Sequence, residues 1–152
     1  MNKAAYISAM KNWFGAIDEA SHLAVTLTMK QSAHYQKLDK SLATKNMRYF
    51  LSNLNRSIFG NATKRFGKKL DIIAVQETSN WQRLHYHLVI KIPERISRAE
   101  LSDLILLHWK STDFAYNEND IKPCHSSGWI DYMMIDINTT AELDIENTNI
   151  GR

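Results

Sequence analysis

The chain has 152 residues, 44% of them apolar, with 19 Lys and Arg against 16 Asp and Glu and one cysteine, Cys124. That length suits a single domain with its own core; one cysteine excludes an internal disulfide and fits a reducing, cytoplasmic setting; no apolar run reaches the length of a membrane span and no signal-peptide pattern opens the chain. Charge is uneven, with 18 basic residues against 11 acids up to Ile130 and five acids against Arg152 after it, so the body is basic and fits a polyanionic partner.

Tyr6, Ile7, Met10, Trp13, Phe14 and Ile17 recur at helical spacing and predict an amphipathic helix over 3–19. The segment 22–29 alternates as a strand, with Leu23, Val25, Leu27 and Met29 on the core face and His22, Ala24, Thr26 and Thr28 on the other. Residues 30–40 are polar and read as a loop. Ala43, Met47, Phe50, Leu51, Leu54 and Ile58 form the stripe of a helix over 41–59, closed by turn signals at Gly60-Asn61 and Gly67.

Residues 70–77 read as a second strand, joined at Ser79-Asn80 to a third over 85–92 as an antiparallel hairpin that Pro93 ends. Ser97 and Glu100 form a capping box, flanked by Ile96 and Leu101 as a hydrophobic staple. A helix follows over 98–110, burying Leu101, Leu104, Ile105 and either His108 or Trp109. Residues 114–122 hold a short strand that Pro123 breaks, and 128–137 a short helix. The segment 139–152 is polar and acidic and reads as a loose tail behind a domain of residues 1–138, although Leu143 and Ile145 could dock. This order predicts an α+β fold: a central antiparallel sheet of about five strands, a ferredoxin- or RRM-like palm, with helices mainly on one face and an open active-site face.

Chemistry concentrates in Arg83-Leu-His-Tyr-His-Leu-Val-Ile-Lys91. Side chains alternate along a strand, so His85 and His87 share one side while Tyr86, Leu88, Ile90 and Ile92 point toward the core. Two imidazoles on a stiff strand make a bidentate site for a divalent metal. Glu77, near the end of the neighbouring strand, supplies a third ligand, for Mg²⁺, Mn²⁺ or a similar ion. Strict alternation puts Glu77 with Ile73 and Val75, and Gln76 with Ile72 and Ala74. That strand is apolar on both sides and its parity is ambiguous, so Gln76 is the reserve ligand.

Thr26 and Thr28 fall on the same face and can hydrogen-bond a phosphate. A metal here polarises a phosphodiester but needs a nucleophile. Tyr132 is the leading candidate, with Tyr35 and Tyr116 as substitutes. A phenol is almost wholly protonated near neutral pH, so Asp131 or Asp136 is a candidate base. Lys64, Arg65, Lys68 and Lys69 form a basic cluster that suits a polyanion.

His85-Tyr86-His87 with its apolar flanks resembles the HUH motif (His, hydrophobic, His) of single-strand endonucleases. Ala24-Val-Thr-Leu-Thr28 is similar to the first motif of the replication initiators called Rep proteins. Glu77 stands at about the separation of their third metal ligand, and Trp129-Ile-Asp-Tyr132 resembles their single-tyrosine motif. Three residues beyond the tyrosine, where many such proteins carry lysine, this chain has Ile135. The resemblance spans roughly residues 22–137. It implies metal-dependent nicking and joining of single-stranded DNA, at an origin or hairpin, through a 5′-phosphotyrosine, in rolling-circle replication of a plasmid or phage. It also implies that basic residues such as Lys64, Arg65, Lys68, Lys69 and Arg83 track the DNA backbone and that Trp81 or Trp129 stacks on unpaired bases. With no ATP-binding segment in the chain, unwinding falls to a host helicase.

Three other readings compete. A single-domain HUH transposase shares the chemistry. A non-catalytic nucleic-acid-binding module shares the open sheet and basic flanks. A structural zinc site of His85, His87, Cys124 and His125 lacks the usual paired ligand spacing.

Overall fold

The computed structural model describes residues 3–14, 17, 19–78, 83–126, 128–133 and 140–150. Helix α1 (Lys3–Phe14) leads into strand β1 (His22–Thr28), a two-stranded hairpin of β2 (Ser32–Ala33) and β3 (Gln36–Lys37), and helix α2 (Lys40–Phe59). Then come α3 (Asn61–Phe66), β4 (Ile72–Thr78), β5 (Leu84–Lys91), α4 (Arg98–Lys110), β6 (Asp120–Pro123), α5 (Gly128–Met133) and β7 (Ala141–Leu143), with a 3₁₀ turn over Ile145–Asn147. Five strands form one sheet in the order β6-β1-β5-β4-β7, each pair antiparallel. The fold is α+β with an open sheet, as the element order predicts.

One sheet face carries Leu23, Val25, Leu27, Ile72, Ala74, Tyr86, Leu88 and Ile90, packed against α2 and α4 in the larger core. The predicted stripe of α2 is the buried one: Ala43, Met47, Phe50, Leu51, Leu54 and Ile58. Asp39 caps its start, its carboxylate accepting from the Leu42 amide at 2.8 Å. The capping box of α4 forms as expected, with Ser97 accepting from the Glu100 amide and Glu100 accepting from the Ser97 amide. Trp109, rather than His108, is the buried aromatic of α4; it meets Phe50 edge-on at 5.3 Å.

The opposite face is only partly open. Ala24, Ile73, Val75 and Val89 there join Met10 of α1 and Ile130 and Met133 of α5 in a second, smaller core. This explains the apolar character of β4 on both sides: each side is covered. At the end of the sheet where β4 finishes and β5 begins, that cover stops and polar side chains take over.

Three segments differ from expectation. Residues 30–40 hold the β2–β3 hairpin, not a plain loop. Pro123 closes β6 from within: it pairs with Leu23 on an edge strand, where its missing N–H costs no ladder bond. The acidic segment beyond 139, expected as a loose tail, is ordered over 140–150. Ala141–Leu143 pairs with Val75–Glu77 as the fifth strand. Behind it Asp144 and Asn147 are buried. The Asp144 carboxylate accepts from the Tyr86 hydroxyl at 2.6 Å and from the Asn147 amide at 2.7 Å. Two ion pairs, Lys40–Glu142 at 2.6 Å and Arg48–Glu146, fasten the same segment to α2. The basic flank of α2 thus faces these acids.

Candidate metal centre

The register of β4 against β5 resolves the parity of Glu77. Glu77 pairs with His85, Val75 with His87, and Gln76 with Tyr86, with no bulge. Strict alternation therefore puts Glu77 beside the histidines. Gln76 faces the larger core, where its amide donates to Thr44, to the Lys40 carbonyl and to the Tyr86 hydroxyl. Across the other edge of β5, Thr26 pairs with His87 and Thr28 with His85.

Glu77, His85 and His87 bring three ligand atoms within 4.8 Å of one another. The His85 and His87 Nε2 atoms are 3.2 Å apart. Glu77 Oε2 stands 2.8 Å from His87 Nε2 and 3.6 Å from His85 Nε2. Donors bound about 2.1 Å from one ion, on neighbouring positions, are separated by roughly 3 Å, so the triangle fits a shared cation. The 2.8 Å contact sets two acceptor atoms face to face unless a positive charge lies between them: a proton on Nε2, or a cation in its place.

The surroundings favour the ligand state of both rings. His87 Nδ1 lies 3.1 Å from the Thr26 hydroxyl, and His85 Nδ1 lies 3.3 Å from the Arg83 carbonyl. With Nδ1–H donating outward, each Nε2 lone pair faces the centre. Burial, and then the neighbouring His85, lowers the His87 pKa to about 4, so this ring is neutral at physiological pH. The Glu77 carboxylate pulls the other way, but the ring's position beneath α5 makes desolvation the larger effect.

Helix α5 sets an aromatic pair over the centre. Trp129 Nε1 donates to the Leu88 carbonyl at 3.0 Å, fixing the helix to β5. Its ring lies 5.8 Å from that of His87 and stacks on Tyr132 at 5.0 Å. Tyr132 in turn lies 5.6 Å from the His87 ring, centroid to centroid, with 55% of its surface exposed. Asp131, suggested as its base, is paired with Lys11 of α1 at 2.8 Å. Asp136 and Ile135 lie outside the described residues, as does Trp81. Tyr35 occupies the tip of the β2–β3 hairpin. Tyr116 precedes β6 and donates its backbone amide to the Thr28 carbonyl.

Two imidazoles and a carboxylate are also the donor set of ferrous oxygenases, so the ligands alone do not choose a chemistry. The family model for the replication-associated protein of the ORF2 type matches residues 22–143. The chain belongs to this family. Among curated proteins and solved structures, none matches it. The family match runs from β1 through β7 and so takes in both the histidine strand and the tyrosine helix. It makes this member of the ORF2-type family a replication-associated protein. Among the described residues, no helix is long and apolar enough to cross a membrane.

Other residues weighed from the sequence divide sharply in position. Thr26 touches the centre through His87, whereas the Thr28 hydroxyl donates to the Glu118 carbonyl at 2.7 Å. Arg83 is exposed immediately before Leu84 and His85 on the chain. The cluster Lys64, Arg65, Lys68 and Lys69 lies near the start of β4, while Glu77 is near its end. Seven residues of extended chain separate Leu70 from Glu77, about 20 Å. The zinc alternative is not assembled: Cys124 is buried, and His125 pairs with Glu19 at 2.6 Å.

One residue was missed. Lys122 pairs with Ala24 and so shares the face of His87. Its ammonium lies 5.3 Å from the Trp129 ring and 3.5 Å from Asp120. The alternating charges of Asp120 and Lys122 were the available signal, but they acquire meaning only once β6 is known to border β1.

Proposed function

We propose that this protein nicks and rejoins single-stranded DNA through a 5′-phosphotyrosine on Tyr132, and so initiates rolling-circle replication of a plasmid or phage. The supporting observation is the Tyr132 ring at 5.6 Å from His87, one of three side chains whose donor atoms converge. Glu77, His85 and His87 would hold a divalent cation, Mg²⁺ or Mn²⁺, which when bound would supply polarisation of the phosphodiester and offset charge building on its oxygens.

The chain's own residues do the rest. Trp129 stacks on Tyr132 and limits the swing of its ring. Tyr132 Oη attacks phosphorus, the P–O3′ bond breaks and a P–Oη bond replaces it. The phenolic proton leaves to solvent on the exposed side of the ring, and the departing 3′ oxygen takes up a proton. One phosphodiester is exchanged for another, so no ATP is consumed and a 3′-hydroxyl can attack the adduct to restore the strand. Lys122 and Arg83 supply positive charge beside this path, and Thr26 positions the His87 ring.

The test is covalent capture. Incubated with Mn²⁺ and a pool of single-stranded oligonucleotides, the protein should yield an adduct that survives a denaturing gel. Tyr132→Phe and chelator should each abolish it. An adduct that persists in Tyr132→Phe would move the nucleophile elsewhere, and no adduct with any sequence would favour a binding module.

A further inference from the structure

The β2–β3 hairpin carries a feature that the proposed chemistry does not use. Its two turn residues, His34 and Tyr35, have φ values of 52° and 63°. Both lie in the left-handed region, where an L side chain is strained and where two-residue hairpins favour Asn-Gly. Tyr35 is wholly exposed, at 111% of its reference surface. A large aromatic ring is thus presented to solvent at a position where glycine would be more stable.

The hairpin is also firmly aimed. The Gln31 side chain grips the first residue of β5: Nε2 donates to the Leu84 carbonyl at 3.1 Å and Oε1 accepts from the Leu84 amide at 2.9 Å. Leu84 is the neighbour of His85. Lys30 donates to the Phe114 carbonyl at 2.7 Å, and His34 lies 3.5 Å from Asp113. Tyr35 is four positions from Gln31, so its Cα lies at most about 14 Å from this anchor. Leu84 precedes His85 on β5, so the hairpin stems from the sheet end that carries Glu77 and His85, while Ala33 packs on the α2–α4 side.

We propose that Tyr35 is a stacking contact for an unpaired base of the bound DNA strand, at the flank of the cleavage site. The ring's flat, exposed face suits any base, so the contact adds affinity without reading sequence. The strained turn holds the ring clear of the protein surface. This inference rests on the single-strand DNA reading of the family's site, and its test is chosen so that the two can fail separately.

The experiment is fluorescence anisotropy with a labelled oligo-thymidylate of about 16 nucleotides, the upper end of a single fold's site size, in chelator and at low salt. Tyr35→Ala should weaken binding roughly 5- to 100-fold, and Tyr35→Phe should bind like the parent chain. Tyr35→Gly should lose binding as Tyr35→Ala does, yet melt a few degrees higher because the turn relaxes. Binding unchanged in Tyr35→Ala overturns the inference, as does equal loss in Tyr35→Phe, which would implicate the hydroxyl instead of the ring. No binding by the parent chain overturns it too. The measurement involves neither metal nor cleavage. A Tyr132 adduct with unaffected Tyr35→Ala binding sinks this inference alone, and ring-dependent binding without any adduct sinks only the nicking proposal.

Discussion

The Thr26 hydroxyl stands 3.1 Å from Nδ1 of His87, on the far side of the ring from Glu77. This contact across two adjacent strands fixes which nitrogen of the ring faces the metal position. A hydroxyl can accept from Nδ1–H or donate to bare Nδ1, so Thr26 supports the ring both with a cation at Nε2 and with a proton there. Thr26→Val, which keeps the shape and removes the hydroxyl, should weaken Mn²⁺ binding by about 10- to 100-fold with little loss of fold. Titration calorimetry would measure it; unchanged affinity would mean that packing alone orients His87.

Metal preference follows from the donor set. Two imidazoles are poor partners for Mg²⁺, which prefers oxygen, and better ones for Mn²⁺ and later transition ions. At pH 7 Mn²⁺ should therefore bind more tightly than Mg²⁺, and His85→Ala or His87→Ala should remove most of the difference. Equal affinities for the two ions in the parent chain would argue against coordination by both rings.

Stability should depend on pH through His87. The ordinary value for the unfolded chain is 6.5, and the folded ring is held down to about 4. The unfolded chain thus binds the proton more readily between these values, and stability present above pH 6.5 is lost as pH falls toward 4. The loss is at most about 3 kcal/mol, since the Glu77 carboxylate opposes it. Urea unfolding in chelator at about pH 7 and about pH 4.5 reads this out. His87→Gln should flatten this part of the profile, and an unaltered slope in the variant would assign it to other groups.

The buried bond between Tyr86 and Asp144 secures the last strand from behind. Burial first, and then the nearby Asp144 charge, raises the Tyr86 pKa well above that of an ordinary phenol, so the hydroxyl remains a donor. Asp144→Ala would strand that hydroxyl and the Asn147 amide in the interior, at a cost of about 3 kcal/mol. A fall in Tm of about 10 °C is expected. A shift under about 2–3 °C, roughly 1 kcal/mol at this chain length, would show that solvent replaces the carboxylate.

Much of this arrangement is legible in the chain because period-2 alternation is a strict rule. It separates His85 and His87 from Tyr86 and puts Thr26 on the histidine face without any knowledge of tertiary structure. The same rule selects Glu77 over Gln76 once the register of β4 against β5 is known. The apolar residues on both sides of β4 obscured this, because a strand covered on both faces loses its polar marker. The strand over Ala141–Leu143 left only the apolar Leu143 as a signal, since three residues within an acidic segment carry too little pattern to show a strand. The His34–Tyr35 turn left none, since it lacks the Asn or Gly that marks such hairpins. The separation of the basic cluster at Lys64–Lys69 from the histidines was not legible for a different reason: charge counts say nothing of distance.

The strand order carries a mechanical implication for Tyr132. Strand β6 precedes the tyrosine helix at one margin of the sheet and β7 follows it at the other. These two margins lie about 19 Å apart, four strand spacings, and α5 sits between them beside His87. On the proposed chemistry, a DNA strand esterified to Tyr132 would pull on α5 between these margins. Cutting the chain at residue 139 would keep Tyr132 and all three candidate ligands in the sequence yet remove β7, so the tyrosine helix would stay tethered to the sheet through β6 alone.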